Sequence, residues 1–206
     1  MGTRFRKKRF PRQNIRSAGT AWMKKEQAQV SWIVGLFLAL FLAVFLMAIM
    51  QVERFHTVSL YTEDALAASN LASALIDLEE YGVSHRILIV QPTEAYGRYQ
   101  WALKENLNLN GEWLGSEESV ISGPVTVENY TVYNVEGDKV RGYRFGAGGE
   151  SAWEENLGVA KAPNGIGIEN TSVYSEISFE VMVVPGIGVR VRKGNLVDVV
   201  ASRGND

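Results

Sequence analysis

The side chains that could carry acid–base or nucleophilic chemistry are few and scattered. The two histidines are His56 and His85, and neither lies in a motif that would place it beside a nucleophile. The chain has no cysteine, which excludes disulfides, thiolate metal sites and thiol nucleophiles. Paired acids occur at 79–80 and 117–118, with no further ligand nearby to complete a metal site. We therefore predict no catalytic residue, no metal and no cofactor, and a protein that is not an enzyme.

Charge is distributed very unevenly along the chain. Residues 1–25 carry nine basic side chains and no acidic one. Residues 51–206 carry twelve basic and twenty-two acidic side chains, a formal charge of −10. Regions that differ this much in charge are expected to meet different surroundings.

An uncharged run of 21 residues, VSWIVGLFLALFLAVFLMAIM, separates these two regions at 30–50. A helix of this length is roughly 31 Å long and matches a bilayer core of about 30 Å. A cleaved secretory signal has a shorter apolar region of about 7–15 residues. We therefore predict a transmembrane helix. The membrane-spanning residues singled out are Val30, Trp32, Gly35, Phe41 and Met50.

The basic residues that precede this run predict its orientation. Positive charge is retained on the cytoplasmic side of a membrane, so we expect a cytoplasmic N-terminus and an extracytoplasmic C-terminal domain. Since topology explains the basic arm, nucleic acid is not an expected partner. Residues 1–22 have three open interpretations: a disordered leader, a processed segment, or a start codon set too early, with Met23 as the natural start.

The helical pattern continues beyond the apolar run. Residues 51–80 contain neither Gly nor Pro, and apolar residues recur at helical spacing until Tyr81-Gly82 gives a stop signal. We predict one helix from about residue 23 to 81, or two with a joint near 56–61. Within it, ALAASNLASA at 65–74 is rich in small residues that permit close approach of another backbone. The helix-packing residues singled out are Ala65, Ala68, Leu71, Ala72 and Leu75.

Two partners for that packing stripe stay open. The stripe could pack on the chain's own sheet or on a helix of a neighbouring subunit, and both could hold on different faces.

Beyond residue 82, the pattern predicts the following segments: a strand at 86–90, a helix at 92–106 with Tyr96, Tyr99 or Gln100, and Leu103 on one side, a polar loop at 108–119, a hairpin of 125–135 with 139–145, and strands at 171–184, 189–191 and 196–200.

The expected fold class is therefore α+β: a single N-terminal transmembrane helix that continues as a long outer helix, packed on a C-terminal antiparallel β-sheet domain. The expected regions are a basic cytoplasmic segment (1–29), the transmembrane helix (30–50), an extracytoplasmic helix (51–81) and an extracytoplasmic, mostly β domain (82–206).

This order of basic leader, apolar span, outward helix and β-rich tail resembles type IV pilin-like proteins. The stretch KEQAQVS at 25–31, followed by the apolar run, is similar to TadE-like proteins of Tad (Flp) pilus systems. The segment DALAASNLASALID at 64–77 is similar to exported proteins associated with such pilus clusters in Gram-positive bacteria. The resemblance implies a cell-envelope protein that contacts the membrane and either other pilus subunits or further copies of itself.

Possible processing residues follow from the same resemblance. The family pattern implies a prepilin-peptidase cut after a Gly, with Glu at the fifth mature position. Here Gly19 is available, but Lys24 is fifth and Glu26 is seventh. We therefore expect a minor pilin or pseudopilin that acts through helix packing in pilus assembly. The alternative is a single-pass membrane protein with an extracellular ligand-binding or sensing domain.

Overall fold

A computed structural model describes residues 16–116, 119, 121, 123–184 and 187–199. It has α+β architecture, with a long apolar N-terminal helix and an antiparallel sheet in the C-terminal part. The chain divides into two compact units, with the boundary between Met50 and Gln51. The second unit contains the sheet and the helices that pack on it.

Three helices precede the sheet in the part of the chain that the structure describes: α1 (Arg16–Ser73), α2 (Leu78–Ser84) and α3 (Pro92–Asn106). The helix predicted to end at Tyr81 ends eight residues earlier, so that boundary is wrong, and helix α1 has no joint at 56–61. The physical cause is Asp77, whose carboxylate accepts hydrogen bonds from Glu79 N and Glu80 N and so begins a new helix.

Helix α3 has the bounds that the sequence predicts. Pro92 lies in its first turn, where the missing N–H costs nothing. Tyr99 and Leu103 are buried as expected, together with Ala95 and Ala102. Tyr96 is half-buried and stacks on Phe145 of the sheet, with 5.2 Å between ring centroids.

Among the described residues, five strands form one antiparallel sheet in the order β3-β2-β1-β4-β5. Their bounds are β1 Thr126–Glu136, β2 Lys139–Phe145, β3 Ser151–Asn156, β4 Ser172–Val184 and β5 Ile187–Asp198. The predicted hairpin is β1 with β2, and the strongest predicted strand is β4. The segments predicted at 189–191 and 196–200 belong to one strand, β5, within which Gly194 lies against the Tyr174 ring; residue 200 lies outside the described residues.

The strand predicted at 86–90 is wrong, because side chains satisfy this segment's backbone in place of a neighbouring strand. The Asn134 amide accepts from Ile89 N (3.0 Å) and donates to Ile89 O (2.9 Å). The Thr171 hydroxyl donates to Ile87 O (2.6 Å), and Asp77 N donates to Leu88 O (3.0 Å). Four backbone groups of this segment are therefore hydrogen-bonded outside the sheet.

The sheet is covered differently on its two faces, as the alternation of side chains along a strand requires. Tyr130 and Val132 of β1 lie in a core shared with α1 and α3. Tyr133, the residue after Val132, lies in a smaller cluster on the other face of the sheet. That second cluster consists of Tyr133, Val140, Ala160, Ala162, Ile168 and Tyr174.

Candidate interaction surfaces

The apolar segment at 31–50 is exposed at every residue. Trp32 is 73% exposed, Phe41 68% and Met50 72%. A Cβ placed on Gly35 would meet no atom within 4 Å. Among the described residues, the helix that contains this segment is long and apolar enough to cross a membrane, by length and composition.

Three of the residues singled out in the sequence lie where the structure describes the backbone alone. They are Gly19, Glu26 and Val30, which lie within helix α1. The structure does not describe the surroundings of these three residues. The processing expectation for Gly19 and Glu26 stays a prediction.

The part of α1 within the second unit, residues 51–73, has one buried face. This inner face contains Val58, Thr62, Ala65, Leu66, Ser69, Asn70 and Ser73. Val58, Ala65 and Leu66 belong to the main core. Of the five predicted packing residues, Ala65 is therefore the one that packs on the chain's own domain.

Polar contacts hold the inner face along its length. Asn70 Nδ2 donates to Asn195 O of β5 (3.1 Å), and Lys193 pairs with Glu63 at 3.8 Å. Tyr130 of β1 donates its hydroxyl proton to Ser73 Oγ (2.8 Å), and Ser73 Oγ donates to Asn70 O (2.7 Å). The bonds of Asn70 Nδ2, Tyr130 and Ser73 satisfy polar groups that would otherwise be costly to bury, whereas Asn70 Oδ1 has no partner among the described residues.

Helix α3 lies beside the same part of α1. Asn106 Nδ2 donates to Ser69 Oγ (3.0 Å), and Asn106 O accepts from the Tyr61 hydroxyl. Arg98 Nη2 donates to Ser73 O at the last residue of α1 (3.4 Å). This contact brings a positive charge to the negative end of the helix dipole.

The other four predicted packing residues, Ala68, Leu71, Ala72 and Leu75, are exposed. Leu71 is 55% exposed, and Leu75 lies just beyond the end of α1 at 59%. We call Ala68, Leu71, Ala72 and Leu75 the outer stripe. The small-residue segment is thus divided between two faces, one covered by the chain's own domain and one uncovered within the described residues.

Trp101 of α3 is a further exposed residue that the sequence analysis does not single out. It is 68% exposed, although its neighbours Ala102 and Leu103 are buried. Trp101 comes two residues after the buried Tyr99, which places it off the buried face of α3. This helical spacing is the sequence signal for its exposure.

A cluster of charges lies on the sheet where β1 has a bulge next to Glu128. The Ser178 hydroxyl donates to Glu128 Oε1 (2.6 Å), and Arg190 Nη2 donates to Ser178 Oγ (3.1 Å). Arg190 and Arg192 each lie 3.9 Å from Glu128. Both arginines are largely exposed, so solvent screens these pairs and they act as surface ion pairs.

The candidate chemical residues are not brought together. His56 is exposed on α1, and His85 ends α2 in a left-handed conformation with φ 57°. The described residues contain no group of three or more His, Cys, Asp or Glu that could hold a metal ion.

Burial raises the pKa of the Tyr99 and Tyr130 hydroxyls above the ordinary value. Burial, with the nearby Glu176 carboxylate, raises the pKa of Tyr174 to about 12.

Comparisons with protein-family models, with curated proteins and with solved structures find no match to this chain.

Proposed function

We propose that this protein is a single-pass membrane protein and a pilin-like subunit, a minor pilin or pseudopilin, of a Tad-type pilus or a related assembly machine. In this proposal residues 1–29 lie in the cytoplasm and residues 51–206 lie outside the membrane. The protein acts through helix packing and contacts with other subunits or with further copies of itself.

The observation that carries the proposal is the contrast within helix α1. Its residues 31–50 are apolar and uncovered, while its residues from Val58 to Ser73 pack on a β domain. Full burial of one large apolar side chain is worth about 1.5–3 kcal/mol, so the exposed segment is stable only in nonaqueous surroundings. A bilayer, and the helices of other subunits within it, would supply them.

The anchor is tested with Phe41→Arg, a charge near the middle of the apolar segment. An arginine at the centre of a membrane helix costs about 2.5–3.5 kcal/mol for insertion, so we expect the protein to leave the alkali-resistant membrane fraction. Phe41→Leu is the matched control and should stay in that fraction. The remaining apolar residues could outweigh one arginine, so the deciding variant combines Leu38→Arg, Phe41→Arg and Val44→Arg. If this triple variant fractionates like the unchanged protein, the segment is not the anchor.

The orientation is tested with single cysteines, since the chain has none of its own. Thr93→Cys on the exposed start of α3 should react with a membrane-impermeant maleimide on intact cells. Ala28→Cys, before the apolar segment, should react only after lysis. Labelling of Ala28→Cys on intact cells would overturn the proposed topology.

Subunit packing is tested by crosslinking in cells through Ala72→Cys on the outer stripe. We expect a covalent adduct with a second copy or another envelope protein. Ala65→Cys, buried against the sheet, and Thr93→Cys, exposed on α3, are the controls and should give much less. If outer-stripe cysteines capture nothing, or no more than Thr93→Cys, the pilin-like proposal is wrong.

The alternative, an anchored binding or sensing domain, predicts that residues 82–206 fold alone. Val58, Ala65 and Leu66 of α1 form part of the main core, so a fragment without them would expose that core. We therefore expect residues 82–206 to be unfolded by circular dichroism. A folded fragment that binds a ligand would favour the alternative.

A further inference from the structure

Two Asn-Gly pairs lie in exposed turns of the second unit: Asn110-Gly111 and Asn164-Gly165. In such a pair, the glycine backbone nitrogen can attack the asparagine side-chain carbon Cγ, because glycine has no Cβ to hinder the approach. The hydrogen-bonded surroundings of the two pairs differ. We infer that Asn110 is a site of spontaneous deamidation, and that the folded structure favours it over Asn164.

Among the described residues, the attacking nitrogen has a hydrogen-bond partner at one pair and none at the other. Gly165 N donates a hydrogen bond to Ala162 O at 2.8 Å. No described residue accepts a hydrogen bond from Gly111 N. Attack requires this nitrogen to lose its proton and turn towards Cγ, which an existing hydrogen bond opposes. Gly165 N is therefore held directly, whereas the Asn110–Gly111 peptide unit is held through its carbonyl, because Asn110 O accepts from Trp113 N at 3.1 Å.

The attacked carbonyl is also better activated at Asn110. Its Oδ1 accepts hydrogen bonds from Glu112 N (2.9 Å) and Leu114 N (3.0 Å). Asn164 Oδ1 accepts from Ile166 N alone among the described residues, at 3.2 Å. Negative charge develops on this oxygen during the attack, and two backbone N–H groups aimed at it stabilise that charge.

A positive charge completes the surroundings of Asn110. Lys104 Nζ donates to Gly111 O at 3.2 Å and lies 4.6 Å from the centroid of the Trp113 ring. It fixes the carbonyl side of Gly111, whose N–H has no hydrogen-bond partner among the described residues. A Cβ on Gly111 would meet no atom within 4 Å, so the fold leaves room for the attack.

The reaction balances without an oxidant or cofactor. A bond forms between Gly111 N and Asn110 Cγ, the bond from Cγ to the side-chain nitrogen breaks, and ammonia leaves with the proton from Gly111 N. Water then opens the succinimide ring to aspartate or isoaspartate. Isoaspartate adds a carbon to the backbone path, which would displace the side-chain oxygen from Glu112 N and Leu114 N.

The test is peptide mapping by mass spectrometry after incubation of the full-length protein in detergent at mildly alkaline pH. A parallel sample is incubated in denaturant, where both pairs lose their surroundings. We expect the rate ratio of Asn110 to Asn164 conversion to be several-fold larger in the folded sample. Isoaspartate at position 110 is assayed by enzymatic methyl transfer.

Variants separate the chemistry from simple exposure. Gly111→Ala fits the open space and should suppress conversion of Asn110, while Asn164→Gln should leave it unchanged. The inference is overturned if the folded ratio does not exceed the denatured ratio. It is also overturned if the folded protein converts at neither position while the denatured chain converts at both.

Discussion

In helix α1 the more apolar part is exposed, and the more polar part has a buried face. Residues 31–50 contain no charged side chain, and all of them are exposed. The part from Val58 to Ser73 is less apolar, yet its inner face buries four polar side chains, Thr62, Ser69, Asn70 and Ser73. One helix therefore has an apolar part that is exposed throughout and a mixed part with a buried inner face.

This difference separates two ways of stabilising a helix. The inner face is specified by hydrogen bonds from β1, β5 and α3, which need particular partners at particular positions. The apolar segment needs surroundings of low polarity and no particular donor. In the proposal made above, the first kind of contact builds the domain and the second anchors it.

Alkaline pH should separate the two parts of α1 most strongly, because it titrates buried tyrosines of the second unit and no side chain at 31–50. Burial raises the pKa of Tyr99 and Tyr130 above the ordinary 10.0, and that of Tyr174 to about 12. A raised pKa stabilises the fold fully below pH 10.0, and this contribution is lost as pH rises through the folded value. We expect the sheet to unfold as the pH rises from 10.0 through the raised pKa values of these tyrosines.

The segment at 31–50 has no titratable side chain, so its helix in detergent should persist. The measurement is circular dichroism and tyrosinate absorbance against pH. Full tyrosinate formation near pH 10.0 with the sheet intact would contradict the burial of these hydroxyls.

The next largest effect should come from Leu66→Ala on the inner face. Leu66 is 0% exposed in the main core, so truncation should cost about 2–5 kcal/mol in the free energy of unfolding. Leu71→Ala, on the outer stripe at 55% exposure, is the matched control and should change stability little. Denaturant unfolding in detergent measures both. Equal losses would show that the outer stripe is covered too.

The smallest effect concerns the bond between Tyr130 and Ser73. Tyr130→Phe should cost about 0.5–1.5 kcal/mol, since Ser73 Oγ keeps its bond to Asn70 O. Ser73→Ala leaves a buried tyrosine hydroxyl unpaired and should cost about 1–3 kcal/mol. The double variant should lose less than the sum of the two. Additive losses in the same unfolding assay would mean that the two hydroxyls do not interact.

Strong local signals explain which elements the sequence predicts correctly. Pro92 starts α3, Gly137 lies in the turn between β1 and β2, and apolar alternation marks β4. Strand β3 gives no such signal, because this edge strand is exposed at all but its half-buried Trp153. The end of α1 depends on the Asp77 cap, which apolar periodicity does not register.

Tertiary contacts explain what the sequence could not predict about the surfaces. RILIV at 86–90 reads as a strand, yet Asn134 takes the backbone groups that a neighbouring strand would have taken. The division of the small-residue stretch, with Ala65 inside and Ala68 outside, depends on where the sheet and α3 lie. Local sequence gives the type of surface, and packing decides which part of it stays open.

The polar contacts along the inner face also have a mechanical consequence. Tension carried along the chain from Met50 enters the second unit at Gln51 and travels along α1. Links at Glu63, Asn70 and Ser73 join this helix to two different strands at separate points. A force along the helix axis would load these links together, whereas a force across the axis would break them one at a time. The domain should therefore resist a force along the axis better than one across it.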